Sequence, residues 1–306
     1  MMMAPEYYVF TGRAGERIPD HVTHVLIAKA LKFVRAHAFM RHPNIQEVIC
    51  HDGVEKIEEF AFELCPSLRR VIMPGVKEVE QGAFTNCYAL TYIECGKLER
   101  IGGGVFQTCE SLNSIDLPSI KIVESCAFGY CPNLTSVKFG KTMQSLGMVT
   151  FFDCPCLERI TLPLKDGMIT DDAMNAANDI FQGCVKLNHV DLVEGKILDE
   201  TVAALLLEEW KNDMNEEIDS INQILPNTPA GNTPRYGVDA VFGGKAQAIR
   251  TWIRSVLRKI IYYKAAHSRY VNEAAAILQS ALPNDIVLKN VLPFLELPSY
   301  TFDGED

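Results

Sequence analysis

Long apolar runs and dense basic clusters are both missing from this chain of 306 residues. No apolar stretch approaches the roughly 18–20 residues of a membrane-spanning helix. Lysine and arginine total 29 against 39 aspartates and glutamates, and the net charge of −10 argues against nonspecific nucleic-acid binding by the whole molecule. The opening, MMMAPEYYVF, lacks the basic region, apolar stretch and cleavage site of a signal peptide. We therefore expect a cytoplasmic protein, in a reducing compartment, with no membrane span and no nucleic-acid partner.

Sequence motifs for catalysis, for metals and for phosphate binding are also missing. The chain has no G-x-x-x-x-G-K, G-x-S-x-G or H-E-x-x-H, and Gly102–Gly104 lies inside a repeat rather than between a strand and a helix. The pair Cys154 and Cys156 has no second pair at zinc spacing. His42 could meet a cysteine in space, but a buried thiol is a poor nucleophile. We predict a noncatalytic protein without cofactor or metal.

What the chain does have is a repeat. A phenylalanine returns at steps of 23, 22, 22, 22, 23 and 30 residues. A fixed period in this range predicts a solenoid of stacked units, which offers partners an extended surface and no single deep pocket. The repeated residues are Phe39, Phe62, Phe84, Phe106, Phe128, Phe151 and Phe181.

Six of the ten cysteines occupy one position of this repeat, three residues after the phenylalanine. His42 takes that position in the first unit. Cysteines at a fixed position favour a buried column of free thiols over a disulfide framework, because free cysteine behaves as a small hydrophobe. The six are Cys65, Cys87, Cys109, Cys131, Cys154 and Cys184.

The rest of each unit predicts its local structure. Six to eleven residues after the phenylalanine the chain reads L-x-x-V-x-L, as in Leu112–Leu117, and its end alternates apolar with polar residues as a half-buried strand does. An aliphatic residue five positions before the phenylalanine indicates a second, short extended piece. The A-F-x-x-C stretch has helical spacing and predicts a turn or two of helix.

The combined pattern, V-x-x-I-x-x-x-A-F-x-x-C-x-x-L-x-x-V-x-L-P, resembles the BspA-like class of leucine-rich repeats. The resemblance covers roughly residues 22–193 and implies an α/β fold: a right-handed curved solenoid of about seven coils with a parallel sheet on its concave side. That class is found among bacterial surface proteins and is expanded in protists and microalgae. Because an export signal is not recognised here, we expect the intracellular type. The predicted domains are an N-terminal capping strand and turn (1–21), the repeats (22–195) and a helical region (196–306) with a loop at 226–237.

Outward-facing residues of the predicted strands are the candidate binding site. Residues eight and ten after each phenylalanine point away from the core, because strand side chains alternate. We predict that a protein partner, whose identity the sequence does not specify, binds these side chains, and that the apolar end (Leu26, Ile49, Ile72, Tyr92) forms the centre. The full set is Leu26, Glu47, Ile49, Arg70, Ile72, Tyr92, Glu94, Ser114, Asp116, Ser136, Lys138, Arg159, Thr161, His189 and Asp191. An insertion at 165–172, before Phe181, is either part of a binding face or a looser last coil.

After residue 197 the period becomes helical. We predict a first helix that Asp199 caps and that ends near Leu225, a second over 241–261, a third near 269–281 and a fourth near 284–296. Residues 196–225 hold eight acidic and two basic residues, whereas 238–270 hold seven basic and one acidic. These opposite charges favour an antiparallel hairpin or a charged partner, and an RNA or membrane contact is the weaker alternative.

One short motif leaves the function open. The segment 282–295 resembles the opening of an F-box, a module that recruits ubiquitin-ligase adaptors. The leading hypothesis is a noncatalytic interaction scaffold that binds a partner on the concave face. The alternatives are an F-box-like substrate receptor and a surface or adhesive recognition protein.

Overall fold

The structure, a computed structural model, describes residues 7–169, 179–193, 195–205, 207–230 and 244–281. The repeats form a β-solenoid of about six turns whose neighbouring coils pair in parallel, and helices follow it. Each coil contributes three faces, which we call the long-strand face, the short-strand face and the turn face. The fold class predicted from the repeat is confirmed.

The long-strand face contains the L-x-x-V-x-L segments, and its strands form two parallel sheets. The parallel sheet that the resemblance implies is divided between the strand at Tyr92–Glu94 and the next one, because these two strands do not pair. The five-stranded sheet contains β1 (Tyr7–Phe10), β2 (His24–Ile27), β4 (Glu47–Ile49), β6 (Arg70–Ile72) and β8 (Tyr92–Glu94). The four-stranded sheet contains β10 (Ser114–Leu117), β12 (Ser136–Phe139), β14 (Arg159–Leu162) and β15 (His189–Leu192).

The short-strand face is one six-stranded parallel sheet of two-residue strands, and it matches the second extended piece expected from the sequence. In each strand the second residue is buried and the first is more exposed, so this face also has one side in the core. Its strands are β3 (Phe33–Val34), β5 (Lys56–Ile57), β7 (Glu78–Val79), β9 (Arg100–Ile101), β11 (Ile122–Val123) and β13 (Ser145–Leu146).

The turn face contains the A-F-x-x-C stretches, and the prediction of a short helix there is wrong. These residues form successive turns, with left-handed backbone two residues before and two residues after the phenylalanine, as at Phe60 and Leu64 around Phe62. A left-handed residue costs on the order of 1 kcal/mol and interrupts a helix. Here it turns every second amide toward the next coil, and the Phe62 N–H donates to the Ala83 carbonyl at 2.8 Å. The turns therefore form a third ladder between coils.

The repeated phenylalanines stack through the middle of the solenoid. All seven are buried, and ring centroids of neighbours from Phe39 to Phe181 lie 4.7–5.6 Å apart with planes within 20° of parallel. Phe10 of β1 extends the stack at a centroid distance of 4.6 Å from Phe39. This stack gives every coil the same core and fixes the register between coils.

The column of cysteines has a hydrogen-bonding role that the sequence reading missed. Each thiol donates to the carbonyl of the phenylalanine in the preceding coil, with Sγ to O distances of 3.0–3.4 Å. In the first coil His42 replaces the thiol, and its Nε2 lies 3.2 Å from the Pro19 carbonyl. A small apolar side chain with one weak donor satisfies a buried carbonyl without disturbing the stack, which explains cysteine at this position.

The helical region has three helices: α1 (Gly195–Ala203), α2 (Glu208–Ile224) and α3 (Lys245–Ala281), with a 3-10 turn at Leu225–Asn227 after α2. Asp199 lies inside α1, so the prediction that it caps the helix is wrong. The predicted second and third helices are one helix, because no glycine or proline interrupts residues 245–281. The predicted helix at 284–296 and the F-box-like segment lie outside the described residues.

Opposite charges join α2 and α3 as an antiparallel pair. Lys259 Nζ lies 2.8 Å from Asp213 Oδ1 and 3.0 Å from Glu217 Oε2. Asp213 also accepts from the Tyr263 hydroxyl at 2.7 Å, and Trp252 Nε1 donates to the Glu217 carbonyl at 2.9 Å. Lys259 of the basic block thus pairs with two carboxylates of the acidic block.

The helices also contact the last coil of the solenoid. Buried Lys245, the first residue of α3, donates to the carbonyls of Leu187 and Leu225. Asn222 of α2 accepts the Val190 N–H at 2.9 Å, at the end of β15. Polar groups at the C-terminal edge of the four-stranded sheet are thereby satisfied, as a solenoid edge requires.

Candidate partner-binding surface

All fifteen residues predicted to face a partner lie on the strands of the long-strand face, in the alternating positions that point away from the core. Parallel pairing aligns them into two rows that run along the solenoid axis. The predicted set of fifteen omits three members of these rows: His24 of β2, and Tyr7 and Val9 of β1, a strand with no phenylalanine from which to count. The pairing of Tyr7 with His24 and of Val9 with Leu26 places β1 in the same register.

On the five-stranded sheet one row is polar and aromatic, and we call it the polar row: Tyr7, His24, Glu47, Arg70 and Tyr92. Its members are already paired with one another. Glu47 accepts from the Tyr7 hydroxyl at 2.7 Å and lies 3.1 Å from Arg70 Nε. The Arg70 guanidinium lies 4.5 Å from the ring centroid of Tyr92. The hydrogen bond to Glu47 raises the pKa of Tyr7 and keeps its hydroxyl protonated.

The other row on the same sheet is aliphatic, and we call it the apolar row: Val9, Leu26, Ile49 and Ile72. Val9 is 51% exposed, and the other three are half-buried although they point away from the core. Four aliphatic side chains on consecutive coils form a contiguous apolar strip beside Tyr and Arg, a composition typical of interaction surfaces.

The apolar row ends at the break between β8 and β10, where carboxylates replace the aliphatic side chains. Glu94 and Asp116 are both exposed, and neither forms an ion pair with a described residue. Inward-facing Ile93 is half-buried, whereas its counterparts Val71 and Ile115 are buried. The break therefore admits solvent to the core side of β8.

The four-stranded sheet presents polar side chains in both rows. Arg159 Nη1 lies 2.7 Å from Asp191 Oδ2, and His189 Nε2 lies 3.2 Å from Asp191 Oδ1. The structure places these predicted site residues on the same face as the apolar row but brings no apolar cluster together there. The two sheets share a core and differ in their exposed chemistry.

The short-strand face has a groove with a volume of about 440 Å³. Five glutamates and Arg100 line it. Several of these side chains pair with one another between neighbouring coils. Arg100 pairs with Glu78 and Glu124, and Glu124 also accepts the Gly103 N–H at 3.1 Å. We interpret this groove as a solvated, self-paired sheet face.

Groups able to do chemistry are not assembled within the described part of the chain. All ten cysteines are free, and burial raises the pKa of Cys50, Cys65 and Cys95 to about 12, which keeps these thiols protonated. Among the described residues, no group of three or more His, Cys, Asp or Glu side chains could hold a metal ion. The described helices include none that is long and apolar enough to cross a membrane.

The insertion before Phe181 contacts the basic helix α3. Arg254 Nε lies 2.8 and 3.0 Å from the two carboxylate oxygens of Asp166, in the part of the insertion that the structure describes. With Lys259 bound to α2, two basic residues of α3 are engaged inside the chain. These are two of the seven basic residues that the sequence places at 238–270.

Proteins similar to this chain are found among solved structures. A search of curated proteins found no match. Three solved structures are similar to this chain. The T. pallidum leucine-rich repeat protein TpLRR is 21% identical, over 60% of this chain and 68% of that chain, with a TM-score of 0.37. A leucine-rich repeat protein from Bacteroides ovatus is 20% identical, over 57% of this chain and 61% of its own, with a TM-score of 0.35. The pneumococcal vaccine antigen PcpA is 16% identical, over 56% and 38%, with a TM-score of 0.34.

The model of the BspA type leucine rich repeat region matches residues 32–158 and 77–198, with six copies of the repeat. Together these matches span more than half of the chain. Repeats of this type are generally noncatalytic modules for protein interaction or adhesion. The chain belongs to the BspA-type leucine-rich repeat family.

Proposed function

We propose that this protein is a noncatalytic scaffold that binds a protein partner on the long-strand face, with the five-stranded sheet as the centre of the contact. The observation that carries the proposal is the apolar row. Four aliphatic side chains on consecutive coils point away from the core, Val9 exposed and the other three half-buried, next to Tyr7, Arg70 and Tyr92. Burying about 100 Å² of apolar surface contributes roughly 2.5 kcal/mol, so this strip favours a partner that covers it.

The polar row supports the same face. Arginine and tyrosine are enriched among the residues that dominate binding energy, and rigid side chains lose less conformational entropy on binding. Glu47 fixes Tyr7 and Arg70, and Arg70 packs on Tyr92, before any partner arrives. The five-stranded sheet is thus preorganised.

We place this activity in a reducing compartment, in a cytoplasmic member of the family. The support is the chemistry of the cysteines. Ten free thiols, of which eight are buried, fit a protein that folds without disulfides.

A capture experiment with matched variants tests the proposal. The full chain is immobilised beside an Ile49→Lys/Ile72→Lys variant and a Lys138→Glu/Thr161→Lys variant, and each is exposed to a lysate of the source cells. We expect specific proteins to be retained by the wild type and by the second variant but lost from the first. If retention is the same on all three, the five-stranded sheet is not the binding surface.

A further inference from the structure

The spacing of the apolar row identifies the kind of partner that fits it. We propose that the five-stranded sheet binds an amphipathic α-helix laid along the solenoid axis, with a stripe of apolar residues that ends in lysine or arginine. This inference rests on the proposed function and adds the shape and charge of the partner to it.

The orientation of the apolar row determines the direction in which a partner lies. The apolar row crosses four neighbouring strands, from Val9 to Ile72, and so runs perpendicular to them. A segment lying parallel to the strands would touch only the two outward positions of one coil. A partner that covers the whole row must therefore run along the axis of the solenoid.

The spacing of the apolar row is close to the period of an α-helix. Neighbouring strands are about 4.8 Å apart, so three coil steps from Val9 to Ile72 span about 14 Å. Three turns of α-helix rise about 16 Å, and its apolar residues at i, i+4, i+7 and i+11 recur once a turn. An extended peptide places same-face side chains about 6.7 Å apart, and four of them span about 20 Å. The helical stripe is therefore about 2 Å longer than the apolar row, whereas the extended peptide is about 6 Å longer.

The two rows of the five-stranded sheet are close enough for one helix to contact both. The polar row lies two residues along each strand from the apolar row, which is about 7 Å. A helix is about 10–12 Å across with its side chains, so one seated on the apolar row also reaches the polar row. Tyr7 and Tyr92 then form a wall along its flank, held by Glu47 and Arg70.

Negative charge near one end of the apolar row favours a partner helix with a basic end. Beyond Ile72 the row continues as Glu94. Asp116 holds the same position of the repeat on the next coil, across the break, and both residues are exposed carboxylates that form no ion pair with described residues. A lysine or arginine one helical turn past the last apolar residue would reach them. The charge complement selects helices with a basic end over equally apolar helices with an acidic end.

Synthetic peptides test this directly on the full chain. The first, of about 18 residues, has leucines at i, i+4, i+7 and i+11 and two lysines one turn later. The second has the same composition with the leucines at alternate positions, the period of a strand. The third replaces the two lysines of the first with glutamates. Fluorescence anisotropy gives the Kd of each, and circular dichroism reports whether the peptide becomes helical on binding.

We expect the first peptide to bind at least about tenfold more tightly than either of the others and to gain helicity. Ile49→Lys should weaken it about tenfold or more, while Thr161→Lys on the four-stranded sheet should leave its Kd unchanged. Glu94→Lys/Asp116→Lys should reverse the preference between lysine and glutamate peptides.

Two outcomes would overturn the inference, and they differ in what they leave standing. If the alternating peptide binds as tightly as the helical one and Ile49→Lys weakens both, the face binds partners but not as helices, and the proposed function survives. If the binding of the helical peptide is insensitive to Ile49→Lys, the site is wrong. The capture experiment then decides separately whether this face binds any protein.

Discussion

The two sheets of the long-strand face share one repeat and differ in what they expose. Both pack the same alternation of residues against the same stack of phenylalanines. The five-stranded sheet presents an apolar row beside a preorganised polar row, whereas the four-stranded sheet presents polar residues in both rows and ends against α2. The repeat therefore specifies the core, whereas the two outward positions of each strand can differ between coils and determine which partner binds.

The largest effect should be the same in both halves, because the core does not distinguish them. Phe62 and Phe128 are buried and stack between neighbours of the same kind. Either one replaced by alanine should lower the free energy of unfolding by about 3–5 kcal/mol, since the rigid stack leaves a cavity. Denaturant titration of both variants checks this. A loss in one half alone would mean that the two sheets do not share an equivalent core.

The two ends of the solenoid should respond to pH in opposite directions, and the C-terminal end has the larger response. Asp179 is buried, and burial raises the pKa of its carboxyl to about 6, although the Phe181 N–H donates to it. Because the folded pKa is above the ordinary value, the protonated form favours folding, and stability falls as pH rises from about 4 to 6. The expected loss is on the order of 3 kcal/mol.

Asp179→Asn keeps an acceptor for the Phe181 N–H and removes the titration. Unfolding titrations from pH 4 to 7 should show the wild type losing stability relative to this variant. A constant difference between the two proteins across that range would contradict the assignment.

At the N-terminal end, acid should loosen the first coil. Burial lowers the pKa of His42, whose neutral Nδ1 accepts from the Ile45 N–H at 3.2 Å. With a folded pKa below the ordinary value, stability is lost as pH falls below about 6.5, by about 1–2 kcal/mol when the bond at Nδ1 breaks. Hydrogen-exchange protection of Ile45 should fall between pH 7 and pH 5.

His42→Cys installs the residue that the other coils use and provides the matched control. Protection of Ile45 should then no longer change over this pH range. If the wild type and the variant behave alike, His42 does not control the first coil.

The smallest effect on folding should come from the outward positions. Asp116 is exposed and forms no ion pair with described residues, so Asp116→Ala should change the unfolding free energy by less than about 0.5 kcal/mol. The same denaturant titration measures it. A variant that melts the fold would show that the outward orientation of this row is wrong.

Much of this architecture could be predicted from the repeat. Counting from each phenylalanine located the core, the strands and the outward rows, because a period of two fixes which face each residue takes. The turn face could not be predicted, since A-F-x-x-C has helical spacing and only the contacts between coils stabilise left-handed residues such as Phe60. The role of the thiols was hidden for a similar reason. Cys87 and the carbonyl it satisfies, that of Phe62, belong to different coils.

Other features depend on contacts that no local pattern specifies. The break between β8 and β10 occurs although L-x-x-I recurs on both sides of it, at Leu90–Ile93 and Leu112–Ile115, and neither strand contains a glycine or proline. The two predicted helices form the single helix α3, because residues 245–281 contain no glycine or proline that would break it. The contact of Lys245 with Leu187 joins residues far apart in sequence, and the repeat gives no signal for it.

The central claim is that a partner binds the five-stranded sheet and not its four-stranded neighbour. A photo-crosslinking amino acid placed at Ile49 or at Thr161 compares the two sheets at equivalent positions of the same row in living cells. We expect a protein adduct from position 49 that Ile72→Lys abolishes, and little or none from position 161. An adduct from position 161 alone, or one from position 49 that Ile72→Lys leaves unchanged, would contradict it.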